Sequence, residues 1–275
     1  MTFALLCCYF SLAVQGEEAS YDFEVSDNEN PAVLSISLAK GSITVIGHRS
    51  NEINIKIKEN TKGRYETSFN SKRIFVLKRG HLVTVESEDS DRHLDLVVNV
   101  PFDTTLILEL DKGGDIDIFN VHGVIDANNS TGTINALGVH GPIVAEVFNS
   151  NLLVIFEKFN SEKPSSLISH KGNMEVRISQ KSQLILAVKN YKGNVYSSFK
   201  AEYESVLPDM MSKHNRLAIK DYIVAQLNNG TQKLTMTSFD GDVIIKELLP
   251  IIKKALETKK SPFKKQKPVL EEELK

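Results

Sequence analysis

Cysteine and tryptophan are nearly missing from this chain, which has 2 Cys and no Trp in 275 residues. The two cysteines, Cys7 and Cys8, are adjacent, too close along the backbone for ordinary disulfide geometry. Beyond them the chain has no disulfide framework, no thiol nucleophile and no thiolate metal site, which excludes several enzyme classes at once. Without Trp, any stacking on a sugar ring would fall to tyrosine. An excess of one charge is missing too: 33 basic residues stand against 35 acidic ones. No cationic field draws in phosphates and no arginine-aromatic cluster offers a platform for bases, so no nucleic-acid partner is expected.

A hydrophobic run long enough to cross a bilayer is also lacking. The opening MTFALLCCYFSLAVQGEEAS is apolar from Phe3 to Val14, the length of a secretory signal core, with Val14 and Gly16 as small residues before a cleavage point. No Lys or Arg precedes that core, so either the signal is atypical or the start is misassigned; a buried N-terminal strand is the alternative. The small residue expected ahead of a lipidated cysteine is absent before Cys7. The chain therefore divides into a signal peptide (1–16), one domain (17–246) and a charged tail (247–275), and export is expected.

Helical periodicity is almost absent before Glu247. What is there instead is alternation: VLSISLAKGSITVIGH from Val33, NEINIKIKEN from Asn51 and HLDLVVNVPFDTTLILEL from His93 place apolar residues at every second position, the signature of half-buried strands. Between Gly113 and Phe148 glycine recurs at 114, 123, 132 and 141. Aligning Gly114 with Gly132 matches Ile116 with Ile134, Val121-His122-Gly123 with Val139-His140-Gly141, Ile125 with Ile143 and Ala127 with Ala145. Each such unit holds two short strands and two glycine turns and cannot bury its apolar face alone. Stacking at the ~4.8 Å strand spacing builds a continuous narrow core. The motif G-x-[IVM]-x-[IVA] returns at Gly41, Gly172 and Gly241, with a degenerate copy at Gly193. The expected class is all-β, a single-domain β-solenoid with a short C-terminal helical or disordered tail; a sandwich with hairpins of similar length is the alternative. In the tail, Leu248 to Leu256 is expected to form a helix capping the open end of the stack. Its lysines could meet anionic lipid or glycan, but solvated charge is the simpler reading.

Chemistry is sparse. His122 and His140 occupy equivalent repeat positions, one strand spacing apart, yet two ligands without a nearby carboxylate make a poor metal site; exposed corner residues repeated with the unit are the plainer reading. Asp115 and Asp117 share a strand face, and Thr133 and Asn135 stack on them one unit later. This outward polar ladder is the candidate binding surface, able to read a glycan through hydrogen bonds, although any solenoid's solvent face looks similar. GGDID is not followed by the tandem G-G-x-G-x-D of calcium-binding repeats. The most regular block, Gly113 to Phe148, contains no Lys or Arg, and G-x-S-x-G, H-E-x-x-H and phosphate-loop motifs are absent. No catalytic residue, metal or cofactor is assigned, and no enzyme activity is expected.

The segments LSISLAKGSITVIGHRSNEINIKIK, LDLVVNVPFDTTLILELDKGGDIDIFNVHGVIDANNSTGTINALGVHGPIVAEVFNSNLLVIF, KPSSLISHKGNMEVRIS and KLTMTSFDGDVIIK, in this order, resemble the bacterial putative-adhesin family of exported β-solenoid domains of unknown function, in its Bacteroidetes-like branch. The resemblance spans roughly residues 32 to 246. Two turns depart from the family pattern: His170-Lys171-Gly172 stands where asparagine-glycine is usual, and Ser238-Phe239-Asp240-Gly241 where T-F-N-G is usual. The resemblance implies export and a scaffold and leaves the receptor unspecified. The expected place is the cell surface, outer membrane or periplasm, the expected partner an envelope protein or glycan, and an uncapped solenoid end could pair with another copy. A periplasmic envelope-signalling partner and a polysaccharide-degrading β-helix are the alternatives.

Overall fold

The computed structural model describes residues 18–25, 30–59, 74–87, 93–159, 163–199, 203–205, 221–250 and 252. The expected signal segment and residues 253–275 lie outside them. The first strands are β1 (Glu18–Glu24), β2 (Val33–His48), β3 (Glu52–Glu59), β4 (Ile74–Arg79), β5 (Leu82–Ser87), β6 (Leu94–Pro101) and β7 (Thr105–Lys112). The regular block supplies β8 (Ile116–Phe119), β9 (Ile125–Asn129), β10 (Ile134–Val139), β11 (Ile143–Val147) and β12 (Leu152–Phe156). Then follow β13 (Ser165–Ser169), β14 (Met174–Ile178), β15 (Leu184–Asn190), β16 (Val195–Ser197), β17 (Tyr203–Ser205), β18 (Asp221–Leu227), β19 (Gln232–Ser238) and β20 (Val243–Glu247).

These strands form two facing sheets whose middles are parallel, because each turn of the solenoid gives one strand to each sheet. The first sheet runs β1-β3-β6-β2-β8-β10-β12-β14-β20-β16. The second runs β4-β5-β2-β7-β9-β11-β13-β19-β15-β18-β17. Strand β2 belongs to both: it bends at Gly41, where φ is +138°, and crosses from the second sheet to the first. The all-β solenoid reading holds.

Rung order is not chain order. The chain passes from β6 to β7 over the rung that β2 fills, and from β14 to β15 over the rung that β19 and β20 fill. This explains the looser spacing of the glycine motif outside the block. The copies at Gly41 and Gly241 belong to rungs inserted between others.

The core is a set of columns, one residue per rung. Ile43, Ile116, Ile134, Leu152, Met174 and Val243 stack in register along the first sheet, all essentially inaccessible. Each such side chain contributes about 1.5–3 kcal/mol by leaving water. At the corner leading into the first sheet, a Cβ on Gly132 would lie 1.6 Å from the Gly114 carbonyl oxygen, and one on Gly114 1.7 Å from that of Gly41. Glycine recurs there because the rung before it occupies the space. Buried Asn129 braces the same corner: its Nδ2 donates to the Gly114 and Thr133 carbonyls (3.1 and 3.0 Å), and its Oδ1 accepts from the Thr131 and Gly132 amides (3.2 and 3.0 Å). Ser169 and Ser238 brace later corners, donating to the Gly172 and Gly241 carbonyls.

The expected terminal cap is placed differently. Leu248 is buried with Leu137 and Ile155, and Ile252 packs on the same cluster beside Phe119 and Leu153. These residues lie on the outer face of the first sheet, where Phe119, Leu137 and Ile155 are in register. The described start of the tail therefore covers a flank of the stack. The rest of the expected helix, beyond Ile252, lies outside the described residues.

Candidate functional site

The polar ladder is built as the spacing requires. Strands β8 and β10 pair in parallel with Asp117 opposite Asn135. Asn135 Nδ2 donates to Asp117 Oδ1 (2.9 Å) and to Thr133 Oγ1 (3.2 Å), and the Thr133 amide donates to Asp115 Oδ1 (2.8 Å). The structure thus brings all four sequence candidates together and bonds them to one another. The same device repeats along the stack: Ser42 Oγ donates to Asp95 Oδ1 (2.6 Å), the Asn173 amide to Asn151 Oδ1 (2.8 Å), the Asp242 amide to Asn173 Oδ1 (3.0 Å) and the Asn194 amide to Asp242 Oδ1 (2.9 Å). Acceptor side chains after each corner tie one rung to the next. Burial pushes the Asp117 carboxyl above its ordinary range; the hydrogen bond from Asn135 opposes this and neighbouring Asp115 adds to it.

The histidine pair forms a stack of rings at the opposite corner. His122 and His140 lie parallel within 4° at 3.8 Å between centroids, and Phe102 continues the stack at 4.6 Å from His122. Imidazole lone pairs lie in the ring plane, so two rings stacked this way direct them side by side and do not converge on one ion. His140 Nε2 instead meets Glu157 Oε2 at 3.3 Å. Burial holds the His122 imidazole below its ordinary pKa and His140 adds to this; Asp103 and Glu157 oppose it, and Lys158 lowers it further. A second stack, Phe148, His170, Phe239 and Tyr191, follows the other corner with neighbouring centroids 4.3, 5.0 and 4.9 Å apart. Among the described residues, no group of three or more His, Cys, Asp or Glu could hold a metal ion.

Sequence reasoning missed a concavity. Beside Glu157, the turns after β12, β14 and β18 enclose a cleft of about 470 Å³ lined by Lys158, Phe159, Ser179, Lys181, Gln183, Asn229 and Thr231, among others. Two of its walls are pinned together. Asn228 Nδ2 donates to the Gln180 and Ser182 carbonyls (2.7 and 2.9 Å), and a Cβ on Gly230 would lie 1.9 Å from the Gln183 carbonyl carbon. Asn228 and Asn229 both take positive φ, 49° and 55°, a conformation asparagine tolerates better than other residues with a Cβ. The only sequence signal was the Asn-Asn-Gly turn itself, which reads as a hairpin loop.

No family model matches the chain, and no curated protein matches it. Among solved structures, a putative cell adhesion protein from Clostridium sporogenes is similar at a TM-score of 0.50 with 10% identity, over 85% of this chain and 100% of that one. A putative adhesin from Bacteroides fragilis aligns at a TM-score of 0.38 with 11% identity, over 85% of this chain and 98% of that one. At this identity the Clostridium likeness establishes a shared fold.

Proposed function

We propose that this protein is an exported, non-catalytic β-solenoid that serves as an adhesin-like binding or scaffold protein of the bacterial cell envelope. The observation that carries the reading is the likeness, over 85% of this chain and 100% of the other, to a solved structure described as a putative cell adhesion protein. The state of the acidic groups supports it. Asp115 and Asp117 are engaged in the ladder, Glu157 with His140 and Glu146 with His170, and Glu175 with Arg177 and Lys246 at 2.6 and 3.2 Å. These contacts brace the outer surface of the stack, which suits a rigid binding or scaffold face.

Protease accessibility of a tagged copy on intact cells, with membrane and periplasmic fractions taken alongside, tests the reading. Digestion on intact cells is the expected outcome. Protection combined with periplasmic recovery would overturn surface adhesion and direct the search to envelope partners by cross-linking.

A further inference from the structure

We propose that the cleft between the turns after β12, β14 and β18 is a binding site for an anionic saccharide, a sugar bearing a carboxylate or sulfate. This goes beyond the adhesin-like reading and does not depend on where the protein acts.

Charge gives the first part of the argument. Two cations, Lys158 and Lys181, line the cleft, and neither forms an ion pair with any described residue. Among the described residues, the one carboxylate in the lining, Glu157, lies against His140. A ligand entering here meets two exposed ammonium groups and a carboxylate already engaged. Ammonium groups on flexible stems act as point charges and accept carboxylate or sulfate without demanding a fixed fork geometry.

The rest of the lining argues for a sugar over a bare anion. Gln183, Asn229 and Thr231 border the cleft with exposed side chains that bond to no other described residue, and the hydroxyl residues Ser179 and Ser182 stand beside them. Amides and hydroxyls offer donors and acceptors together, which matches the hydroxyl-rich rim of a sugar ring; a simple anion uses donors alone. Phe159, whose ring meets Phe156 edge-on at 4.9 Å, adds an apolar element. The volume, about 470 Å³, exceeds what a lone phosphate or sulfate fills and lies within the ~300–1,000 Å³ of small-molecule clefts.

Preorganisation completes it. The Asn228 hydrogen bonds and the close approach of Gly230 hold two walls at fixed separation before any ligand arrives. Further bonds within the turn, from the Gly230 amide to the Leu227 carbonyl and from Gln226 Nε2 to the Gly230 carbonyl, both at 3.0 Å, fix its shape. Binding then orders side chains but not the backbone of these two turns, which lowers its cost.

Calorimetric titration of the full chain with a galacturonic acid trisaccharide, a neutral galactose trisaccharide and inorganic sulfate tests the proposal. Saturable 1:1 binding of the acidic trisaccharide is expected, at least tenfold tighter than either other probe and weakened by added salt. The double variant Lys158→Gln/Lys181→Gln, at exposed positions, should keep the melting temperature and weaken binding at least tenfold; Gln183→Ala should weaken it without changing its salt dependence. No binding of the acidic trisaccharide, equal binding of the neutral one, sulfate binding as tightly, or full affinity in the double variant would each overturn the proposal. Surface exposure on intact cells is read separately, so either idea can fail while the other stands.

Discussion

A methyl group on Gly132 would fall 1.6 Å from the backbone oxygen of Gly114, and no rotamer can relieve a contact with backbone. Gly132→Ala therefore has to separate two rungs, and the expected loss is about 3 kcal/mol or more. Gly80 makes the opposite case. Its φ is +60° but nothing lies within 4 Å of its Cβ position, so Gly80→Ala should lose only about 1–2 kcal/mol of stability, as added backbone strain. Urea denaturation of both variants checks the pair; equal losses would mean that the rung before Gly132, whose own φ is not positive, yields to a methyl group at no more cost than the strain at Gly80. Asp117 gives a second prediction at this scale. Because burial raises its folded pKa, its charged form costs stability above that pKa, and the cost fades as pH falls toward the unfolded value, about 3.9. Asp117→Asn keeps an oxygen for Asn135 and removes the charge. It should raise the melting temperature at pH 7, with the gain shrinking toward pH 4; an unchanged or lowered value at pH 7 would show that the carboxylate's own bonds outweigh its burial.

The elements were legible where each residue type answered to one demand. Alternation located the strands of the regular block because one face of each meets the core, and the glycine spacing located its corners because only glycine fits against the rung before. The ladder candidates were legible for the same reason, since parallel in-register stacking puts Asp117 beside Asn135. The cleft was not legible: Lys158, Lys181 and Asn229 lie on three separate turns and share no spacing. The ring stacks stand between these cases, visible as a repeated histidine while Phe102 and Phe239 fall outside the repeat. They carry a prediction in pH. The His122 imidazole is held below its ordinary value by burial and by His140, against Asp103 and Glu157. As pH falls through about 6.5 the unfolded chain takes up a proton that the folded stack resists, so stability is full above that range and is lost below it. His122→Phe keeps a ring between Phe102 and His140 without the titration. Its melting temperature should fall less between pH 7.5 and 5.5 than that of the parent protein; an equal fall would assign the acid sensitivity to other groups.

At the scale of the whole molecule, the interleaved rung order sets how the protein must fold. In a solenoid, stability is close to a sum of rungs and neighbour interfaces, so a stack in chain order could lose its last rung and keep those before it. Here the last strands made, β19 and β20, lie between β13–β14 and β15–β16. Until they arrive, among the described strands β14 has an open edge, β16 has no parallel neighbour, and β15 is paired only with β18. These long-range closures come late and predict slow folding for the chain's size. A chain ended after Thr231 separates the two architectures. With the order described, limited proteolysis and hydrogen exchange should find β7 to β14 still protected while β15 and β18 are cut and exchange freely. Protection of β15 in that truncated chain would mean that it stacks directly on β13, and that the interleaving of β19 and β20 is not what holds this end of the solenoid together.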